Sequence, residues 1–208
     1  MTQAPFQRVF SSQAALAISA VLTSFTGIAL NLLLPFLLHS EEYARYSLLL
    51  GFAQVTASLL FEWLRIGVIR YSHTSDLVAD RARRSIMAAA YLVLAAALVG
   101  VAVICGLLAL MNTGFTAIAM VAGIAAAQGI FDGQQAEARA SFANYSVATR
   151  MVMRAVISFI CAALGCLMFR TGEAALVGFA LGYPISSFAS LRRQTAEWLA
   201  TPVRFAEL

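Results

Sequence analysis

Apolar residues along this chain gather into six long runs, at about 14–38, 46–69, 86–111, 115–135, 151–169 and 174–191, and short segments between them hold most of the charge. A helix needs ~20 apolar residues to cross ~30 Å of hydrocarbon, so the pattern predicts an all-α, polytopic membrane bundle of six transmembrane helices in one domain. The first run is too long for the core of a signal peptide and no cleavage site follows it, so it is expected to stay as a true span. Residues 192–208 set Trp198, Leu199 and Phe205 among charges and read as a cytoplasmic or interfacial tail.

The second run contains the strongest departure from apolarity, Glu62 and Arg65. On a helix they share a face, and Gln54 and Ser58 extend that face by two more turns. A charge at mid-bilayer costs roughly 2.5–3.5 kcal/mol on insertion scales, so such residues usually pair and face a bundle interior or a wet cavity. The stripe therefore reads either as the wall of a transport cavity or as Arg65 snorkelling toward headgroups with Glu62 as its neutralising neighbour.

Other polar positions are weaker. Ser19, Thr23, Thr26, Gly27 and Asn31 mark one side of the first span, suited to close packing or to a cavity lining, with Asn31 the better cavity candidate. Pro35 is expected to bend the end of that span. Ser40 followed by Glu41 and Glu42 resembles a helix start, and His39 reads as an interfacial loop residue. The third span has only Tyr91 and Cys105 to interrupt alanine, leucine and valine; it is expected to face lipid and neighbours, with no chemistry of its own. In the fourth, Gln128, Asp132, Gln135 and Arg139 recur on one helical face, either inside the bundle or on a solvated extension. Gly129 with Gly133, and Gly178 with Gly182, are spaced for close helix packing, and Tyr183-Pro184 for a bend. Residues 136–150 are expected to form a polar connection, and Arg70 to Arg84 the most charged loop.

Charge supplies orientation. All 14 basic residues are arginine. Arg8, Arg70, Arg81, Arg83, Arg84, Arg139, Arg150, Arg154, Arg192, Arg193 and Arg204 fall on one side of the expected membrane, Arg45 and Arg170 on the other, which places both termini in the cytoplasm. In that frame Arg65, Asp132 and Arg154, from three helices, lie at a similar depth. With 61% apolar and 12% charged residues and a mean hydropathy of +0.82, no soluble enzyme domain is expected. No basic patch alternates with aromatics, so nucleic acid is not an expected partner. Cys105, Cys161 and Cys166 lie within apolar runs without metal-ligand spacing and read as small packing residues; no metal and no cofactor is expected. The two histidines sit in loops and no nucleophile has a base at a recognisable spacing, so no enzyme activity is expected.

A first span ending Leu-Leu-Leu-Pro-Phe-Leu-Leu, the loop Ser-Glu-Glu-Tyr-Ala-Arg-Tyr-Ser, and a polar-lined second span ending Glu-Trp-Leu-Arg-Ile-Gly-Val-Ile-Arg-Tyr together resemble the start of bacterial polysaccharide biosynthesis proteins. These are the lipid-linked oligosaccharide flippases of the superfamily that also holds the multidrug and toxin extrusion transporters. The resemblance is concentrated in residues 1–72, and the six-span layout extends it over the chain. It implies one lobe of a two-lobed transporter of the bacterial inner membrane, moving a polyprenyl-pyrophosphate-linked glycan between leaflets. It matches Arg65 and Arg70 to second-span arginines that attract pyrophosphate, and Asn31 to a polar position of the first span. Glu62 would hold Arg65 or couple to protons, while Asn31, Gln54, Gln128 and Asp132 complete the expected substrate-binding set. Such families carry twelve to fourteen spans, so a second six-helix lobe is expected, as a homodimer or as a separate chain. Two rivals stand beside this reading. One is a proton-coupled drug exporter in which Glu62 carries the proton, a role that a guanidinium one turn away opposes. The other is a non-transporting membrane subunit.

Overall fold

A computed structural model describes the backbone of residues 5–71, 77–140 and 143–200, and the side chains of 13–70, 86–140 and 143–188. Six helices follow one another: α1 (Pro5–Leu37), α2 (Ser40–Tyr71), α3 (Leu77–Ala109), α4 (Gly114–Ala140), α5 (Asn144–Phe169) and α6 (Gly172–Ala200). All regular structure among the described residues is helical, and five helices, α1 to α5, are long and apolar enough to cross a membrane. The sixth expected span lies within α6, whose described side chains end at residue 188; α6 is not among the five.

Each helix outruns the apolar run that predicts it. At ~1.5 Å per residue the 33 residues of α1 extend ~50 Å, well past a ~30 Å hydrocarbon layer. The charged segment expected as a loop from Arg70 to Arg84 is mostly helix, because α2 continues to Tyr71 and α3 begins at Leu77. The polar connection expected at 136–150 is largely helix, with α4 running to Ala140 and α5 starting at Asn144. Most of the tail expected from 192 onward continues α6 to Ala200. Arginine, glutamate, glutamine and alanine are good helix formers, so backbone hydrogen bonding carries on where hydropathy stops. Arg8, Arg81, Arg83, Arg84, Arg192, Arg193, Trp198, Leu199, Phe205 and the rest of the tail fall outside the described side chains.

The chain forms two compact units. The first comprises Met1–Phe52 and Ser141–Ser186, that is α1, the start of α2, α5 and most of α6. Its core buries Leu30, Leu34, Leu38, Tyr46, Leu49, Val147, Ala162, Cys166 and Leu176. Ser19, also buried, donates to the Leu16 carbonyl at 2.8 Å and lies 4.0 Å from the Met151 sulfur of α5. The expected glycine packing is present: a methyl group on Gly178 would collide with the Cys161 carbonyl, and one on Gly182 with Ser158 and, at 2.8 Å, with the Arg154 carbonyl. The α5 and α6 backbones therefore touch, and Ser158 Oγ donates to the Phe179 carbonyl at 2.8 Å to fasten them.

At the end carrying the α1–α2 and α5–α6 connections, Arg170 ends α5 in a left-handed conformation, φ 54°, its N–H donating to the Cys166 carbonyl at 2.8 Å. Gly172 then opens α6, and its N–H donates to Glu42 Oε2 at 2.7 Å. Glu42, expected as a first-turn acid of its own helix, thus caps another one. Beside it Arg45 and Glu173 form an ion pair at 2.7 Å.

The second unit comprises Ala53–Ala140 and Ser187–Leu208. Its core is built from Ala57, Phe61 and Leu64 of α2, Tyr91 and Ala95 of α3, and Ala125 of α4. The rings of Phe61 and Tyr91 stack with centroids 5.7 Å apart and planes 11° from parallel. Each ring lies on a glycine of α4: a methyl on Gly129 would enter the Phe61 ring, and one on Gly133 would approach the Tyr91 ring to 2.9 Å. The small-residue pair of α4 is a seat for two aromatic rings, a role spacing alone does not specify.

Candidate functional site

The second unit gathers the polar residues that the sequence singles out. On α2, Glu62 and Arg65 are ion-paired, Nη2 to Oε1 at 2.5 Å, with side chains 44% and 40% exposed. Three residues apart in a helix, their stems leave the backbone on one side, so the pair closes without help from another element. Gln54 and Ser58 are exposed on α2, as the shared face requires, while Ala53, Ala57, Phe61 and Leu64 turn into the core. Arg65 Nε is buried and has no hydrogen-bond partner among the described residues. The guanidinium therefore holds its glutamate with one nitrogen and keeps a further donor unspent.

Tyr91 of α3 reads differently from the sequence expectation that its span carries no inward chemistry. It is 7% exposed and packed on Phe61 and Gly133, and its hydroxyl lies 3.5 Å from the Phe61 carbonyl. Asp132 of α4, Arg65 and Glu62 all act electrostatically on that hydroxyl. Three helices thus bring a carboxylate, an ion pair and a phenol to one region of the unit. The glycines of α4 make this approach possible, since any larger residue at 133 would push the tyrosine away.

Most of the end of α4 is enclosed, with Arg139 exposed. Gln134, Gln135, Ala136 and Ala138 are buried and Asp132 is half-buried. Among the described residues, Gln128, one turn before Asp132, has a buried Oε1 without a partner, and both amide atoms of Gln135 are buried without one. Unmatched amides in a dry setting are costly, which makes them natural places for water or a ligand's hydroxyl groups to bond.

The remaining candidates are not members of this group. Asn31 is exposed on α1, in the first unit, and Arg70 is exposed at the end of α2. Of the small polar residues on α1, Ser19 serves packing and Thr26 spends its hydroxyl on the Leu22 and Thr23 carbonyls of its own helix. Arg154, expected at the depth of Arg65 and Asp132, belongs to the first unit, where its guanidinium carbon lies 5.2 Å from the Tyr183 ring centroid and Nη1 lies 3.4 Å from the Tyr183 hydroxyl. A cation over a tyrosine face gains ~0.5–2 kcal/mol depending on desolvation, a way to keep a guanidinium inside a span. The sequence signal for that pairing is present in Tyr183 itself, read only as part of a bend.

No group of histidine, cysteine and acidic residues suited to a metal occurs among the described residues. Cys105, Cys161 and Cys166 are free thiols. The chain matches no family model, no curated protein and no solved structure.

Proposed function

We propose that this protein is a lobe of a membrane transporter, flippase-like in operation, that moves an anionic lipid-linked glycan, a polyprenyl-pyrophosphate oligosaccharide or polysaccharide precursor, across the bacterial inner membrane. The observation that carries the reading is the Glu62–Arg65 pair, held half-exposed on a helix apolar enough to span. A purely structural ion pair in hydrocarbon gains from full enclosure, whereas a pair that must meet a passing phosphate has to be reachable. Arg65 supplies the charge-assisted bond to pyrophosphate and Glu62 keeps the guanidinium oriented and neutralised between turnovers. Gln54 on the same face, and Gln128 and Asp132 on α4, offer hydrogen bonds to head-group hydroxyls. Arg70 draws the phosphate toward the stripe from the arginine-rich, cytoplasmic side, and Asn31 has a place in this scheme through the family resemblance alone. No covalent step is involved, and a second lobe completes the cavity.

The test is reconstitution into vesicles with a fluorescent polyprenyl-pyrophosphate disaccharide, scoring transfer by quenching from outside. If Arg65 binds phosphate, Arg65→Ala and the double change with Glu62→Ala both abolish transfer while the protein still inserts. If pairing is the main role, the single change is the more harmful, because it leaves a carboxylate unpaired. Normal transfer by Arg65→Ala refutes the proposal.

A further inference from the structure

The polar stripe of α2 has a geometry that selects its own partner. With ~100° between successive residues, Glu62 and Arg65 stand about 60° apart around the helix, and the line midway between them passes within about 10° of both Ser58 and Ile69. Ser58 and Ile69 are exposed, and the buried residues Ala53, Ala57 and Leu64 lie on the far side of that line. In a parallel pair of helices related by a two-fold axis along the membrane normal, a residue set to one side of the contact line meets the residue set equally to the other side in the partner. The carboxylate of each copy then faces the guanidinium of the other. Their ~4.5 Å offset along the axis is within the reach of an arginine side chain.

We propose that a second copy of this chain covers the stripe, with α2 packed against its symmetry mate along Ser58 and Ile69, and with Glu62 and Arg65 exchanged into a ring of four alternating charges. Two observations support this occupant over lipid or an unrelated chain. The first is self-complementarity: the stripe carries one acid and one base placed symmetrically about a line marked by a small serine, so it satisfies itself without any other charge. The second is exposure: the side chains of the pair are 44% and 40% exposed and Ser58 and Ile69 face outward beside them, so the stripe is open to a neighbour. Lipid offers no charge in return, and leaving the pair against hydrocarbon costs several kcal/mol on insertion scales. The proposal deepens the transport reading by naming what lies opposite its stripe: the seam has to open for a phosphate to reach Arg65, and the dimer itself does not depend on transport.

The experiment uses the full chain in native membranes with Cys105, Cys161 and Cys166 replaced by alanine. Ser58→Cys is expected to form a disulfide-linked homodimer under mild oxidation. Trp63→Cys, exposed on α2 about 130° from the contact line, is expected not to. In the Ser58→Cys background, Glu62→Arg and Arg65→Glu each make the ring like-charged and should cut the cross-link by about tenfold or more, and the double swap Glu62→Arg with Arg65→Glu should restore it. Should the cysteine-free protein fail to insert, the same charge swaps are read by single-molecule photobleaching on tagged protein with its native cysteines, where two-step molecules should vanish with either single swap and return with the double. No dimer in either measurement, equal yield from Ser58→Cys and Trp63→Cys, linkage to a different chain, or failure of the double swap to restore the dimer overturns the proposal. A dimer that traps at Ser58 yet moves no lipid confirms the seam and refutes the transport reading; export by a monomer does the reverse.

Discussion

Gly178 of α6 lies against the backbone of α5, and replacing it by alanine tests how much of the first unit depends on that approach. The new methyl group would run into the Cys161 carbonyl and come within 2.8 Å of the Ala162 nitrogen. These are backbone atoms in mid-helix, so neither can rotate away and the helices must separate by about 1 Å. That movement stretches the Ser158 to Phe179 hydrogen bond, 2.8 Å at rest, toward its breaking distance. Overpacking of this kind costs about 1–3 kcal/mol and the hydrogen bond about 1, against which alanine returns up to ~1 kcal/mol of helix propensity. The net is a loss of about 2 kcal/mol, or ~4–8 °C in the melting midpoint of a chain this size. Gly100 of α3 provides the control, because a methyl group there meets nothing within 4 Å; Gly100→Ala is expected to be neutral or to raise the midpoint. Purified variants in one detergent, melted side by side, decide it. Equal midpoints for Gly178→Ala and Gly100→Ala would show that the α5–α6 backbones are not in contact and sink the packing argument.

In the second unit, Tyr91→Ala empties the space over Gly133 and should cost about 3 kcal/mol or more, while Tyr91→Phe keeps the stacked ring and should melt close to the parent; a large loss in Tyr91→Phe would mean that the hydroxyl matters more than its 3.5 Å contact implies. Glu42→Gln keeps an acceptor for the Gly172 N–H and should be mild, whereas Glu42→Ala should lose about 1 kcal/mol by the same melting assay; indistinguishable variants would rule out the cap. Arg45→Ala, which removes a partly exposed ion pair, should change the midpoint by less than about 0.5 kcal/mol equivalent. For topology, a cysteine at Ser40 should react with an impermeant maleimide from outside, and one at Asn144 only after permeabilisation; the opposite pattern removes the cytoplasmic assignment of both termini.

The helices themselves were legible because the apolar runs have the length a bilayer demands, and five of them carry that length in the structure. Their ends were not. Arg139, Glu137 and Gln135 stop a hydropathy window, yet they are good helix formers, and α4 runs past them to Ala140. Of the candidate site, Glu62, Arg65, Gln54 and Ser58 were readable from one helix's periodicity, since all the information is local. Asp132 was readable as a polar face. What joined it to α2 was not: the link runs through Tyr91, an aromatic in an alanine-rich span whose inward direction depends on Gly133, far along the chain on the next helix. Periodicity within one helix does not say which neighbour has a glycine ready to receive a ring. The same reason hid the Arg154–Tyr183 stack and the reach of Glu42 to Gly172, contacts between segments 29 and 130 residues apart.

That last contact has a bearing on how the chain comes to be assembled. Glu42 leaves the ribosome long before Gly172, so during synthesis the N-terminal end of α2 presents a carboxylate whose counterpart, the first N–H of α6, does not yet exist. The unpaired Arg45 waits beside it for Glu173. Insertion can proceed helix by helix, but the α2–α6 clasp locks only after α6 has been made, which makes it a late step with a high sequence separation to close. A chain stalled before residue 172 should therefore insert its early helices and yet leave the Ser40–Arg45 turn open to protease, and release of the stall should be followed by protection of that turn.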